Sequence, residues 1–240
     1  MFFLAANSAG WSQMPEDRSL LLWYDHPATD WMTQTLPIGN GYIGAMFYGG
    51  TKEEILQFSE GSLWSGGPGT GDRYENGNRR DAWKYLAQIR EWLKEGRMEE
   101  ADRLASRELT GLIHPVEGGA SFGDYGAQQT MGELRIQTRQ EDPVSEYKRW
   151  LDICRAEGGV SYRSGSTDFT RTYFGSYPDK VMVYRFGSSA PSEYAIFYKT
   201  PHRKIRVGMA EGEYIFHGAV RDNGMEYEMR LKIKTDGKFR

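Results

Sequence analysis

Alternating apolar and polar residues predict a chain made mainly of β-strands. The clearest stretch is 225–233, where five apolar residues alternate with Glu226, Glu228, Arg230 and Lys232. Because successive side chains of a strand point to opposite faces, this pattern predicts one buried and one solvated face. Shorter stretches predict further strands at 133–137, 169–174, 180–186, 193–199 and 213–217, with turn signals such as Asp222-Asn223-Gly224 between them.

The first sixty residues also favour strands joined by tight turns. The apolar run at 20–24 predicts a buried strand, and the stretches 42–48 and 54–58 predict a hairpin with Gly49-Gly50 in its loop. The segment Gly39-Asn40-Gly41 begins a G-x-G-x-x-G match, but it leads into another strand rather than into a nucleotide-binding helix. We therefore predict a turn that joins two strands, with at least one residue at positive φ.

Two adjacent segments repeat their apolar residues at helical spacing. The first, 81–95, carries Ala82, Leu86, Ile89 and Leu93 on one face, and the second, 97–109, carries Met98, Ala101, Ala105 and Leu109. Asp81 is predicted to cap the first helix and Gly96 to end it. The chain is therefore predicted to be mainly β, a two-sheet antiparallel β-sandwich with an inserted pair of α-helices at about 81–110.

The charge and composition of the chain limit the kinds of molecule that it is expected to bind. The chain has 240 residues with a formal net charge of −3 and a pI near 5.9. A protein that binds nucleic acid would be expected to present a basic face, so this balance argues against such a partner. No apolar run is long enough to span a bilayer. Aromatic residues make up 14% of the chain and glycine accounts for 29 residues, a combination that suggests a sandwich that handles sugars.

Residues that could hold a metal or a cofactor do not form a motif. The four histidines are scattered singly, and Cys154 is the one cysteine, so no internal disulfide can form. Cys154 ends an apolar stretch that predicts a strand, in which it would be an inert residue. We therefore expect no cofactor and no metal site.

Two segments are predicted to be irregular. Residues 1–19 begin with an apolar run followed by small residues, so we interpret them as a leader, either a signal-peptide remnant or a disordered segment. Residues 64–77 are rich in glycine and predict a linker. The sandwich domain is then predicted to occupy residues 20–240.

Three residues in loop-like sequence are candidates for contact with a ligand. Glu60 stands before Gly61 and Ser62, and it can serve as a turn or interface residue, contact a sugar or act as a catalytic carboxylate. Trp31 and Trp64 can either pack inside the protein or stack on a sugar ring. The sequence leaves these alternatives open.

Landmarks between residues 22 and 68 resemble the opening of glycoside hydrolase family 95, the inverting α-L-fucosidases. They are Leu22-Trp23-Tyr24, Pro27-Ala28, Trp31, the run LPIGNG at 36–41 and the run LWSGGP at 63–68. The helix pair and the later segments at 132–134, 147–152, 160–162 and 174–179 extend the resemblance over about residues 20–235. Two residues depart from the family pattern: Ser59 stands where the family usually has Asn, and Gly61 replaces a commoner polar residue.

The resemblance implies an N-terminal β-supersandwich that precedes an (α/α)6 barrel, and this barrel carries the catalytic acid and the water-activating base. Those positions have no counterpart here, so we carry over no catalytic residue and expect the barrel to be absent from this chain. The family further implies a bacterial, secreted or periplasmic enzyme that removes terminal α-L-fucose from glycans by inverting hydrolysis. An α-L-galactosidase is the alternative enzyme, and an independent carbohydrate-binding module is the alternative from another class.

Within this family, the implied partners are the enzyme's own C-terminal barrel and a fucosylated glycan, with no nucleic acid and no membrane span. The loops at 30–40 and 60–71 are predicted to lie at one end of the sandwich and to face the barrel. Their residues Asn40, Glu60, Trp64 and Trp31 are the candidates for the pocket rim or the domain interface.

Overall fold

The computed structural model describes residues 2–6, 15, 19–67, 79–110, 126–140 and 143–238, with the backbone alone for residues 2–6. The chain divides into two compact units. The first comprises residues 1–63, 130–219 and 227–240, and the second comprises residues 64–129 and 220–226.

The first unit is built from two sheets. Its elements are β1 (Phe2–Ala6), β2 (Leu21–Tyr24), α1 (Trp31–Gln34), β3 (Leu36–Gly39), β4 (Ile43–Phe47), β5 (Glu53–Glu60), β6 (Gly132–Thr138), β7 (Val144–Asp152), β8 (Glu157–Ser164), β9 (Thr167–Ser176), β10 (Val181–Ser188), β11 (Tyr194–Lys199), β12 (Arg203–Ala210), β13 (Glu213–Ala219) and β14 (Glu226–Thr235). Among the described residues, nine strands form one sheet in the order β12-β13-β14-β1-β10-β9-β8-β7-β2, and five form the other in the order β11-β6-β5-β4-β3. The mainly β, antiparallel class is confirmed.

Strand β1 differs from the expected leader. Residues 2–6 lie parallel to β10 on one side and parallel to β14 on the other. The facing edges of β10 and β14 would otherwise present unpaired N–H and C=O groups, which favour the addition of a strand. Five apolar residues without Pro or Gly can supply that strand. The expectation of disorder is therefore wrong for residues 2–6, and most of the remaining leader lies outside the described residues.

The core of the first unit lies between the two sheets. Leu56 and Leu134 of the five-stranded sheet are buried, as are Tyr173 and Tyr184 of the nine-stranded sheet. The ring centroids of Phe47 on β4 and Tyr173 on β9 are 4.6 Å apart, so the inner faces of the two sheets pack against each other.

Most predicted strands are present, and the exceptions have physical reasons. Met229 and Leu231 on β14 are buried, which agrees with the predicted alternation. The run at 20–24 was expected to be buried, but β2 is an edge strand with Trp23 exposed. Strand β12 was missed although Ile205, Val207 and Met209 alternate with polar residues or glycine; all eight of its residues are exposed, so this alternation does not mark a buried face. Cys154 was placed in a strand, but it is exposed in the turn after β7.

The second unit contains the predicted helix pair. A short 3-10 helix (Ala82–Tyr85) leads into α2 (Leu86–Lys94), and α3 (Met98–Glu108) follows. Ile89, Ala101 and Leu104 form a buried cluster against which Trp92 packs. Gly96 ends α2 with a φ of 75°, as its position predicted. No described helix has the length and apolar character needed to cross a membrane.

Two details of the helix pair differ from the prediction. Asp81 makes no capping hydrogen bond, because its φ of 65° is left-handed rather than extended. Its carboxylate instead lies 3.1 Å from the Lys84 ammonium. Leu93 and Met98, predicted on the apolar faces, are 45% and 62% exposed.

Candidate functional site

Asn40 is a buried residue that holds two turns together. It follows β3 and is 6% exposed. Its Oδ1 accepts hydrogen bonds from the backbone N–H groups of Tyr42 at 3.0 Å and Ile43 at 2.8 Å. Its Nδ2 donates to the carbonyl oxygens of Ser176 at 3.0 Å and Val181 at 3.3 Å. These four bonds use the whole amide, so Asn40 positions the surrounding backbone and has no group left for a ligand.

The turn at residues 40–42 joins β3 to β4, as predicted. Gly41 has a φ of 83°, a conformation that side-chain-bearing residues rarely adopt. Hydrogen bonds from Asn40 fix this turn to the turn that joins β9 to β10. We call residues 40–42, 60–63 and 176–181 the Asn40 end of the first unit.

Two exposed tyrosines stack on each other at the Asn40 end. The ring centroids of Tyr42 and Tyr177 are 5.6 Å apart with an interplanar angle of 27°. The Lys180 ammonium lies 4.6 Å from the centroid of the Tyr42 ring, within the range of a cation–π contact. Tyr42 is 39% exposed and Tyr177 is 65% exposed. We call Tyr42, Tyr177 and Lys180 the tyrosine platform.

Sequence reasoning missed the tyrosine platform. Tyr42 follows a recognisable glycine turn and Tyr177 precedes Pro178-Asp179, so both positions carried turn signals. Nothing in the two segments indicated that they meet. The contact depends on the packing of one sheet on the other, which no local pattern encodes.

Glu60 lies beside the tyrosine platform. Strand pairing places it opposite Ile43, and the N–H of Gly61 donates to the carbonyl oxygen of Tyr42 at 3.0 Å. Glu60 Oε2 accepts hydrogen bonds from the N–H of Ser62 at 2.9 Å and from the Ser62 hydroxyl. Glu60 therefore closes its own turn at the Asn40 end.

Trp31 lies at the other end of β3. It is 44% exposed and opens α1, which is capped by the Asp30 carboxylate accepting from the N–H of Thr33 at 2.8 Å. Hydrogen bonds from the Thr33 hydroxyl and N–H lower the pKa of Asp30. Strand β3 spans roughly 13 Å between α1 and Asn40.

This arrangement corrects the predicted barrel-facing surface. The stretch 30–40 is not one loop, because β3 divides it into two parts. The N–H of Ala28 donates to the carbonyl oxygen of Tyr48 at 2.8 Å, which places the Trp31 side near the β4–β5 loop. Trp31 and Glu60 therefore lie at opposite ends of the five-stranded sheet, so the prediction of a shared end is wrong for this pair.

The end that carries the β4–β5 loop contains a buried ion pair. We call residues 48–52 and α1 the hairpin end. The Oε2 of Glu54 on β5 accepts hydrogen bonds from Arg171 Nη1 and the Tyr173 hydroxyl, both at 2.7 Å. Its Oε1 accepts from the N–H groups of Tyr48 at 3.1 Å and Gly49 at 2.8 Å. Both sheets and the loop are thus joined through one carboxylate.

The ion pair is satisfied and enclosed. Glu54 is 0% exposed and Arg171 is 2% exposed. Arg171 also donates to the carbonyl oxygens of Gly50 and Thr51. Burial acts to lower the pKa of Arg171, but the surrounding tyrosine oxygens and Glu54 raise it overall. Burial, with the Glu54 charge, raises the pKa of Tyr173 well above its usual range. The Glu54 carboxylate is therefore committed to structure and is not placed to act on a substrate.

A second buried guanidinium fastens α1 at the hairpin end. Arg149 Nη1 donates to the carbonyl oxygen of Gln34 at 2.9 Å, and its guanidinium carbon lies 4.7 Å from the centroid of the Tyr24 ring. Nε and Nη2 have no hydrogen-bond partner among the described residues. Burial lowers the pKa of Arg149, in contrast to the paired Arg171.

Trp64 belongs to the second unit and is 44% exposed. Asn223 Nδ2 donates to the carbonyl oxygens of Trp64 at 2.9 Å and Gly66 at 2.7 Å, and Asp222 Oδ2 accepts from the N–H of Gly66 at 2.8 Å. The predicted turn at 222–224 thus holds the start of the predicted linker. The remainder of that linker, and of the loop at 60–71, lies outside the described residues.

The sequence matches known proteins over most of its length. A family model described as "Glycosyl hydrolase family 65, N-terminal domain" matches residues 22–239. "Alpha-L-fucosidase 2" of Arabidopsis thaliana is 28% identical over 224 residues, which cover 91% of this chain and 24% of that protein. "Probable alpha-fucosidase A" of Aspergillus niger is 32% identical over 172 residues, which cover 70% of this chain and 20% of that protein.

A further relative agrees with these two. "Probable alpha-fucosidase A" of Aspergillus oryzae is 28% identical over 172 residues, covering 70% of this chain and 22% of that protein. The chain therefore spans about a fifth to a quarter of the length of these relatives. The matched description carries the family number 65 where the sequence resemblance named 95, and the α-fucosidase relatives are consistent with that resemblance.

Proposed function

The chain belongs to the glycosyl hydrolase family 65 N-terminal domain family, and we propose that it is the non-catalytic N-terminal sandwich of an inverting α-L-fucosidase of the family 95 type. The observation that carries this proposal is the pairing of an N-terminal-domain match with α-fucosidase relatives that are several times longer. The parent enzyme would remove terminal α-L-fucose from fucosylated glycans outside a bacterial cytoplasm.

The contacts of the carboxylates support a non-catalytic role for this segment. An inverting glycosidase needs an acid and a base whose carboxyl groups lie about 6.5–9.5 Å apart across the scissile bond. Glu60, the carboxylate that the sequence singled out, is engaged by the backbone and hydroxyl of Ser62. Glu54 is enclosed in an ion pair. Catalysis would therefore belong to the proposed C-terminal barrel.

We assign the pocket-rim role to the Asn40 end. Asn40 would act as a positioning residue, because its amide is fully used by the backbone. Glu60 would lie at the rim, and Trp64 would remain a candidate for the domain interface. Trp31 lies at the hairpin end and would brace the parent enzyme there, since an exposed indole offers a large apolar area for interdomain packing.

The test compares the 240-residue chain with the full-length protein encoded by its gene. We expect the full-length protein to hydrolyse an aryl α-L-fucoside and to release β-L-fucose first, as NMR of the fresh product would show. We expect the 240-residue chain to give no turnover above a buffer blank. An aryl α-L-galactoside serves as the matched substrate, and faster turnover of it would favour the α-L-galactosidase alternative.

Turnover by the isolated chain that Glu60→Gln abolishes would contradict the non-catalytic role. Absence of α-fucosidase and α-galactosidase activity in a folded full-length protein would contradict the proposed parent activity.

A further inference from the structure

We infer that the tyrosine platform binds a pyranose ring of the glycan, through the outer face of Tyr177. The inference rests on the proposed function for the class of ligand, and on the geometry of this end of the sandwich for the site. Stacking with Tyr42 covers one face of the Tyr177 ring. Because Tyr177 is still 65% exposed, its opposite face is open to a ligand.

The platform is held in place before any ligand arrives. Asn40 bonds to the backbone of both turns that carry the two tyrosines, so their separation is fixed by a buried amide. The N–H of Lys180 donates to the carbonyl oxygen of Tyr177 at 3.3 Å, and Lys180 has a φ of 55°. A non-glycine residue held in this conformation indicates a turn that its surroundings determine. Pre-ordered aromatic rings reduce the entropy lost on binding.

The chemistry around the rings fits a neutral sugar. A pyranose presents C–H groups on one face and hydroxyl groups at its edge, so it matches an aromatic ring bordered by polar groups. The borders of the platform carry both signs of charge, with the Lys180 ammonium above Tyr42 and the carboxylates of Glu60 and Asp179 in the adjoining turns. A nucleic-acid strand would need a groove of positive charge, and the two acidic groups disfavour it.

The position of the platform suggests which sugar it contacts. The terminal fucose would enter the catalytic barrel, whereas the platform lies on the non-catalytic domain. The ring bound by Tyr177 would then be a residue of the glycan beyond the cleaved bond. A single open aromatic face supports weak binding, with a Kd on the order of millimolar.

The first experiment titrates the 240-residue chain with an α-L-fucosylated lactose trisaccharide and follows by NMR the Tyr177 ring protons of the wild type and, in every variant, the proton signals of the trisaccharide. We expect these signals to shift on titration, and Tyr177→Ala to weaken binding at least about fivefold. Tyr177→Phe should retain binding because it keeps the ring. Phe197→Ala is the matched control: it removes an exposed ring from β11, the edge of the five-stranded sheet opposite β3, and should leave the affinity unchanged.

The second experiment uses the full-length protein. Tyr177→Ala should raise KM for the trisaccharide by a larger factor than KM for an aryl α-L-fucoside, which lacks the further sugar rings of the glycan. If the wild-type chain shows no shift at tens of millimolar trisaccharide, or if Tyr177→Ala binds as well as wild type, the inference is wrong. Equal losses on both substrates would assign Tyr177 to the domain interface and would also overturn it. None of these results tests whether the full-length protein cleaves aryl α-L-fucosides. Failure of this inference can therefore be distinguished from failure of the proposed function.

Discussion

The two ends of the sandwich hold their sheets together with different kinds of side chain. At the hairpin end, the buried carboxylate of Glu54 meets Arg171 across the two sheets at 2.7 Å. At the Asn40 end, a neutral amide makes four hydrogen bonds to backbone groups of both sheets' turns. Each end thus uses buried polar side chains to tie distant segments together. Only the hairpin end does so with full charges.

Aromatic residues reinforce the contrast. At the hairpin end the hydroxyl groups of Tyr147, Tyr162 and Tyr173 point inward to carbonyl oxygens or to Glu54. At the Asn40 end Tyr42 and Tyr177 stack in solvent. The buried Glu54–Arg171 pair and the inward hydroxyls satisfy one another and present nothing to a partner. Rings held outward on a neutral, rigid base remain available, which is why we assign function to the Asn40 end.

The largest effect on stability is expected when the buried Glu54–Arg171 ion pair is broken. Arg171→Met should lower the free energy of unfolding by about 3–5 kcal/mol, because it leaves the Glu54 carboxylate buried without its counter-charge. Urea denaturation measures the change. Arg163→Met is the matched control, since Arg163 pairs with Asp168 and Glu146 at 2.7 Å each on the exposed side of the sheet. Exposed pairs contribute less than about 1 kcal/mol. Equal losses in the two variants would show that enclosure of the pair does not matter.

The next largest effect is expected when the hydrogen bonds of the Asn40 amide are removed. Asn40→Ala should cost about 2–3 kcal/mol, because backbone groups of Ile43 and Val181 lose their partners inside the protein. The control is Asn223→Ala, which removes an amide that makes similar backbone bonds in an exposed turn. Water can replace those bonds, so a loss below about 1 kcal/mol is expected. If Asn223→Ala costs as much as Asn40→Ala, burial of the amide is not the source of its stabilising effect.

The smallest of these effects concerns alkaline pH. Burial raises the pKa of Tyr147 and Tyr173 above the ordinary value of 10.0. Above pH 10 the unfolded chain releases these protons and the folded chain retains them, so the unfolded state binds fewer protons and stability falls as pH rises. Each such tyrosine should contribute a decline of about 1.4 kcal/mol per pH unit. Tyr147→Phe should reduce the decline in the free energy of unfolding with pH by the contribution of one tyrosine. Urea denaturation between pH 10 and 11.5 measures this decline. An unchanged decline in the variant would contradict burial of Tyr147 as the cause.

Local sequence patterns predicted much of the fold. The alternation at 225–233 predicted β14, and helical spacing at 81–109 predicted α2 and α3. Glycine at position 41 indicated the turn after β3. The patterns failed where a strand has no buried face, as in β12, or where pairing depends on a distant edge, as in β1. In β1 tertiary pairing decided the structure without a periodic signal, and in β12 the alternating apolar residues all remain exposed.

The candidate site shows the same division between sequence and tertiary structure. The sequence by itself determined the glycine turn around Asn40, the landmarks of the glycoside hydrolase resemblance and the turn signals at Tyr42 and Tyr177. Only the tertiary structure brought Tyr42 onto Tyr177 and separated Trp31 from Glu60. The physical reason is that periodicity and turn propensity are properties of consecutive residues. Which turns meet depends instead on strand register and sheet packing, which join residues far apart in the chain.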